Sequence, residues 1–309
     1  MKLGFLTGAL ENISFEEKMN WASEVGFDCV EVSCWPQMNT RDYSASDIDV
    51  VKLDNYHAEN ILRYLDQKNI SISSLAYYDN NLHEDLNLRK GYIEHLKKVI
   101  DAAVLLNVEL VGTFVGRNRE LSIEENFREF KEVFSDILEY SEKKKIKIMI
   151  ENCPMPGWSV DGLAGTISYS PELWDEMFRI FPTENFGLNY DPSHLMWLGI
   201  DYLKALKDYK DRIFHIHAKD GKVNFKNKHQ YSIFGKQLGK KNGFDIGWVD
   251  AKIPGKGEIK WDEFFDTIRE IGYDGVISIE HEDPEYEDSI KKCKEGILFS
   301  KNYLEKFIK

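Results

Sequence analysis

A closed barrel of eight parallel strands, each followed by a helix, is the α/β fold that this sequence predicts. Three observations predict it. Short apolar runs with strand character alternate with longer runs of helical period along the whole chain, and that alternation marks parallel strands joined by crossover helices. The strand runs number eight, which favours closure over an open doubly wound sheet. The length of 309 residues accommodates one such domain, which usually takes roughly 250 residues.

Residues 2–6 are the first strand. A helix follows in which Phe15, Met19, Ala22 and Val25 keep helical spacing, with Ser14 and Glu17 set as a capping box and Gly26 as its stop. The pattern predicts strands over 27–35, 70–78, 109–115 and 146–152, with helices over 55–68, 86–106 and 122–144 between or after them. The last of these helices gathers Ile123, Phe127, Phe130, Phe134 and Ile137 on one face. A helix over 171–181, a sixth strand over 186–191, a helical stretch over 203–209 and a seventh strand over 213–217 continue the rhythm. It then breaks. Residues 221–260 are polar, rich in glycine and aromatics, and show neither period, so they are an inserted loop between strand seven and its helix. Loops of that length are uncommon unless they carry function. A helix over 261–271, an eighth strand over 275–280 and a closing helix over 289–308 complete the chain. No Pro/Gly/Ser-rich linker divides it, so residues 1–309 form a single domain, and the first turn, Gly4 to Gly8, lacks the GxGxxG of a dinucleotide site.

The apolar fraction of 42% supports a sizeable core, and no apolar run approaches the roughly 20 residues that span a bilayer. The N-terminus enters a strand without a signal-peptide pattern. Cys29, Cys34, Cys153 and Cys293 form no CxxC pair, so free thiols in a reducing cytoplasm are expected. A net charge of −13 opposes nucleic-acid backbones, which leaves a small molecule as the expected partner.

The chemistry collects at the strand ends. Alternation along strand seven puts Ile213, His215, His217 and Lys219 on one face and Phe214, Ile216 and Ala218 on the other. Strand five ends in Glu151, strand six in Asp191, strand seven in His217 and strand eight in Glu280. In a parallel barrel all four arrive at the carboxyl-terminal mouth. Any one of these carboxylates alone is more often a solvated or salt-bridged strand end. Together they crowd three negative charges around one imidazole, with only Lys219 visibly near, and a divalent cation between them resolves the repulsion. The oxygen-rich set suits Mn²⁺ or Mg²⁺ and tolerates Co²⁺ or Zn²⁺; the lack of thiolate ligands speaks against structural zinc. Two free coordination positions would chelate a hydroxy-carbonyl unit, and an enediolate left by proton removal would be stabilised there. Glu151 and Glu280, on strands separated by two others, would flank the substrate as the proton-transfer pair.

Asn189-Tyr190-Asp191-Pro192-Ser193-His194, His215-Ile216-His217-Ala218-Lys219-Asp220, the stretch 253–261 and Val276-Ile277-Ser278-Ile279-Glu280-His281-Glu282-Asp283 resemble the sugar phosphate isomerase/epimerase family of xylose isomerase-like TIM barrels, which includes ketohexose 3-epimerases and inosose-processing enzymes. The resemblance implies one divalent metal held by Glu151, Asp191, His217 and Glu280, with Glu151 and Glu280 catalytic and His194 of the Asp-Pro-x-His motif binding substrate. Ketohexose epimerases place an Arg shortly after the ligand His, where this chain has Lys219 and Asp220. Lys219 is either a substrate contact or a partner of Asp220 or Glu280. Arg117 faces the mouth as a substrate or salt-bridge residue, and Trp158 stacks on a sugar ring or packs in the wall. The aromatic insertion serves equally as a lid or as a subunit interface in a homo-oligomer. The expected activity is a metal-dependent sugar isomerase or epimerase. The alternatives are a lyase that eliminates from a keto-sugar or inosose and, further off, an AP-endonuclease-like DNA-repair enzyme.

Overall fold

The computed structural model describes residues 1–37, 46–159, 164–240 and 243–308. Strands β1 (Lys2–Phe5), β2 (Cys29–Ser33), β3 (Ser71–Ala76), β4 (Leu110–Thr113), β5 (Lys147–Glu151), β6 (Phe186–Tyr190), β7 (Ile213–Ala218) and β10 (Val276–Ile279) form one parallel sheet in the order β1-β10-β7-β6-β5-β4-β3-β2. A parallel bridge between Leu6 and Glu31, with Asp28 N donating to Leu3 O at 3.1 Å, brings the two ends of that order together. The close approach needs Gly4: a Cβ there would lie 2.7 Å from Cys29 O. The remaining strands, β8 (Asp220–Val223) and β9 (Val249–Lys252), pair as a separate antiparallel ribbon.

The helices between the strands are α1 (Phe15–Glu24), α2 (Asn55–Lys68), α3 (Leu86–Leu105), α4 (Ile123–Lys143), α5 (Pro171–Ile180), α6 (Pro192–Leu198), α7 (Tyr202–Asp208), α8 (Phe225–Tyr231), α9 (Trp261–Glu270) and α10 (Ile290–Ile308). The capping box expected at Ser14 and Glu17 forms, and Ser122 with Glu125 makes a second one at α4. The apolar face of α4 buries Phe127, Phe130, Phe134 and Ile137. Phe130 sits 4.7 Å from Phe134 and 6.0 Å from Phe186 of β6, so this helix is fixed to the sheet through aromatic contacts. Truncating Phe130 to alanine would cost about 3–5 kcal/mol.

Two expectations change. The sixth strand ends at Tyr190, and Asp191 caps α6 with its Oδ1 accepting from Ser193 N at 2.7 Å. Pro192 suits the first helical position, where no N–H is required, and Gly199 at φ 79° stops the helix after seven residues. So short a helix carries too little periodicity to be visible in sequence. The stretch 221–260 is likewise not a shapeless loop, since it contains α8 and part of the β8/β9 ribbon. Asp220 pins that region, accepting from Gly221 N at 2.9 Å, Ile259 N at 3.0 Å, Gly255 N at 3.2 Å and Trp261 Nε1 at 3.0 Å. Gly257 belongs to the same knot, because a Cβ there would stand 2.1 Å from Asp220 Oδ1.

Candidate active site

The strand period places the site. On β7, His215 and His217 share the inward face; on β10, Ser278 is followed two residues later by Glu280; β5 ends in Glu151, and Asn189 of β6 is followed by Asp191. All are buried. His217 Nδ1 lies 3.1 Å from both Glu151 Oε1 and Glu280 Oε2. His194, one turn into α6, places Nε2 3.2 Å from Asp191 Oδ2 and 3.7 Å from Glu151 Oε1. The cluster forms two overlapping triads of five residues, Glu151–His217–Glu280 and Glu151–Asp191–His194, each with ligand atoms within 4.8 Å of one another; three of the four expected ligands fall in the first, and Asp191 falls in the second with His194. Glu151 belongs to both.

Lys219 follows on the same face of the chain and points its ammonium into this cluster, 3.0 Å from Glu280 Oε2, 3.3 Å from Glu282 Oε2 and 3.5 Å from Asp191 Oδ2. Asp220 turns the other way into the insertion, so the alternative pairing of these neighbours does not occur. Burial alone would discharge Lys219, yet Glu280 and Glu282 hold its pKa well above the usual value. His217 behaves alike, with burial opposed by Glu31 and Glu280 and its pKa well up. Burial also works against a charged Glu280, but Lys219 prevails and keeps that carboxyl low.

Under the cluster lies a second polar layer. Glu31 of β2 reaches across the barrel so that its Oε2 is 2.8 Å from His217 Nε2, and that oxygen also accepts from Ser278 Oγ at 3.0 Å. Glu31 Oε1 accepts from Tyr78 OH at 2.8 Å, and Asn189 Nδ2 donates to the same hydroxyl at 2.6 Å. His215 meets Asn189 Oδ1 at 3.0 Å and Ser73 Oγ at 3.2 Å. Despite burial, His217 keeps the Glu31 carboxyl at about 2, whereas burial drives the His215 imidazole down to about 4.

The residues fit a metal. Asp191 Oδ2 and Glu280 Oε2 are buried and rest on charged neighbours alone, Lys219 at 3.5 and 3.0 Å, His194 at 3.2 Å from the first and His217 at 3.1 Å from the second. Hard carboxylate oxygens gathered around an imidazole are ligands for a divalent ion, and three carboxylates so close repel one another unless positive charge sits between them.

Above the cluster opens a cavity of about 740 Å³ whose lining includes Glu151, His194, Lys219 and Glu280. The insertion contributes Phe244, Ile246, Val249 and Ala251 to its wall, and Trp35, Tyr78 and Phe114 line it as well. Arg117 and Trp158 are not among the lining residues. Arg117 is held by backbone bonds with the Asn80 side chain and directs Nη1 to Ala164 O at 3.4 Å, while Trp158 packs edge-on to Phe114 at 5.5 Å. Glu31, at the end of the second strand, is expected from the sequence to face the mouth or to form a salt bridge with a neighbour; Tyr78 and Asn189 are not singled out by it. The signal available was their position near the ends of inward-facing strands, which buried apolar residues share. All four cysteines are free and buried, as expected of the thiols, and no described helix is long and apolar enough to cross a membrane.

A family model described as xylose isomerase-like TIM barrel matches residues 19–303. The inosose isomerase of Bacillus velezensis is 24% identical over 312 residues, covering 96% of this chain and 95% of that protein. The solved structure of a D-tagatose 3-epimerase-like protein superposes with a TM-score of 0.70 at 22% identity, covering 100% of this chain and 98% of that one. The IOLI protein with a bound zinc atom gives a TM-score of 0.68 at 20% identity over 98% of this chain and 99% of that one. At these identities the solved structures share the fold.

Proposed function

The chain belongs to the xylose isomerase-like TIM barrel family, and from that premise we propose that it is a divalent-metal-dependent isomerase or epimerase of a sugar or keto-sugar. The observation that carries this reading is the pair of overlapping triads through Glu151, which bring three buried carboxylates and two imidazoles to one place. Glu151, Asp191, His217 and Glu280 would hold the ion, with Mn²⁺ or Mg²⁺ suited to so oxygen-rich a set. When bound, it would supply Lewis acidity to the substrate's carbonyl oxygen.

The other steps fall to side chains. Glu280, kept ionised by Lys219 at 3.0 Å, and Glu151, beside His194 and His217, stand on strands separated by β6 and β7. One takes a proton from the carbon next to the carbonyl and the other returns one, to the opposite face for epimerisation or to the neighbouring carbon for isomerisation. Lys219 and His194, both lining the cavity, donate to substrate oxygens, and the wall supplied by the insertion keeps bulk water from the exposed carbanion. Incubation with candidate keto-sugars in deuterated water tests this. Deuterium should enter the carbon next to the carbonyl and stop entering after chelation; full turnover after exhaustive chelation sinks the reading. A lyase draws support from the buried Lys219 ammonium beside Glu280, a donor placed to protonate a departing hydroxyl. A product lighter by one water would select it.

A further inference from the structure

The proton-transfer scheme gives no task to Glu31, a fully buried acid inside the barrel. Glu31 stands on β2, which is separated from β7 in the closed ring by β1 and β10, yet its carboxylate crosses the interior to the imidazole of His217 and not to a cation of its own. We infer that Glu31 is the positioning residue of the site, accepting from Nε2 of His217 so that Nδ1 is aimed at the space between Glu151 and Glu280 as the ligand atom. The inference rests on the metal-dependent reading above.

The hydrogen-bond inventory puts a proton on Nε2. A carboxylate accepts only, so at 2.8 Å Glu31 Oε2 requires a proton on Nε2. Asn189 Nδ2 is 2.9 Å from the same nitrogen, but an amide nitrogen is itself a donor and cannot take that proton; its hydrogen goes to Tyr78 OH. Nδ1 is 3.1 Å from Glu151 Oε1 and from Glu280 Oε2, so in the metal-free cluster that nitrogen carries a proton as well; as a metal ligand Nδ1 would give that proton up, while Nε2 keeps its own on Glu31. Glu31 is itself clamped by Ser278 Oγ on Oε2 and Tyr78 OH on Oε1. The edge of the Tyr78 ring, 5.9 Å from the imidazole, limits its tilt. Glu31, His215 and His217 also come within metal-binding distance of one another. That triad is occupied by protein, because His215 uses both ring nitrogens on Asn189 and Ser73. A carboxylate that accepts from the far nitrogen of a ligating histidine fixes the ring and raises the basicity of the near one, and its loss typically costs about 10- to 100-fold in metal affinity.

Cobalt(II) titration of the whole protein, followed by visible absorption and by proton release, tests the assignment with the Glu31→Ala and Glu31→Gln variants. Wild type should bind the ion. Glu31→Ala should bind it about 10- to 100-fold more weakly with an altered spectrum. Glu31→Gln keeps an oxygen acceptor for Nε2–H but no charge, so it should recover part of the loss. Thermal unfolding of the metal-free proteins separates a packing role, which would lower the midpoint while leaving affinity and spectrum untouched. If Glu31→Ala does not fold, Glu31→Gln decides alone: a weakened affinity supports the assignment, and a wild-type affinity and spectrum overturn it. Wild-type binding by both variants overturns the role of Glu31 and spares the metal reading, whereas wild-type protein that takes no cobalt overturns both.

Discussion

Two polar layers lie one above the other inside this barrel, and they are built on opposite rules. In the lower one, Glu31, Tyr78, Asn189, His215 and Ser278 satisfy one another, and none has a buried side-chain atom without a hydrogen bond. In the upper one, Glu151, Asp191 and Glu280 crowd three carboxylates against Lys219, His194 and His217. Like charges that close repel one another, so a layer that gathers them is a place for a cation that arrives. The lower layer is the frame; the upper layer is the socket.

The widest gap between the layers should come from the proton-transfer pair. Glu280→Gln or Glu151→Gln should cut turnover by about a hundred- to ten-thousand-fold, and Glu280→Gln should also lower the unfolding midpoint of the metal-free protein, because it strips a carboxylate from Lys219; unchanged turnover would take these carboxylates out of the proton path. Next comes Lys219→Met. It strips the cation from Glu280, Asp191 and Glu282, and breaking a buried pair costs about 3–5 kcal/mol. Denaturant unfolding should show that loss without metal and a larger rescue by a divalent ion than wild type receives. Equal rescue would mean that Lys219 and the ion do not share a charge-balancing role.

A smaller effect probes the lower layer through pH. Burial pushes His215 down to about 4 from the ordinary 6.5, so as the pH falls the unfolded chain takes up its proton first. The stability from the neutral ring is therefore fully present above pH 6.5 and lost progressively toward pH 4, about 3 kcal/mol in all. Unfolding of wild type and His215→Asn at pH 7 and 4.5 should show a shallower pH slope in the variant; equal slopes would move the acid sensitivity to the upper layer. The smallest effect lies outside both layers. Phe244→Ala opens the wall given by the insertion and should raise KM several-fold while leaving kcat within a factor of about two, as expected when only uniform substrate binding is lost.

Periodicity carried the fold. The eight strands, their parallel order and the inward face of β7 follow from the alternation of Phe214, Ile216 and Ala218 with His215 and His217, because a pleated strand has only two faces. The convergence of Glu151, Asp191, His217 and Glu280 was legible for the same reason: strand ends in a barrel share a mouth. Less local features were not. Glu151 is the last residue of β5, whereas Arg117 lies in the loop beyond Thr113, the last residue of β4; its guanidinium goes to Ala164 O and away from the cavity lining, since a loop residue has no fixed face. Lys219 and Asp220 are chain neighbours of opposite charge, and which of them enters the cavity depends on Gly255, Ile259 and Trp261 being there to receive Asp220.

The linear chain by itself determined how many strands form and which side of each looks inward, since both come from short-range steric alternation. Only the closed ring decided that an acid on the second strand would meet an imidazole on the seventh, 186 residues away, because that contact exists nowhere until the sheet's two edges join.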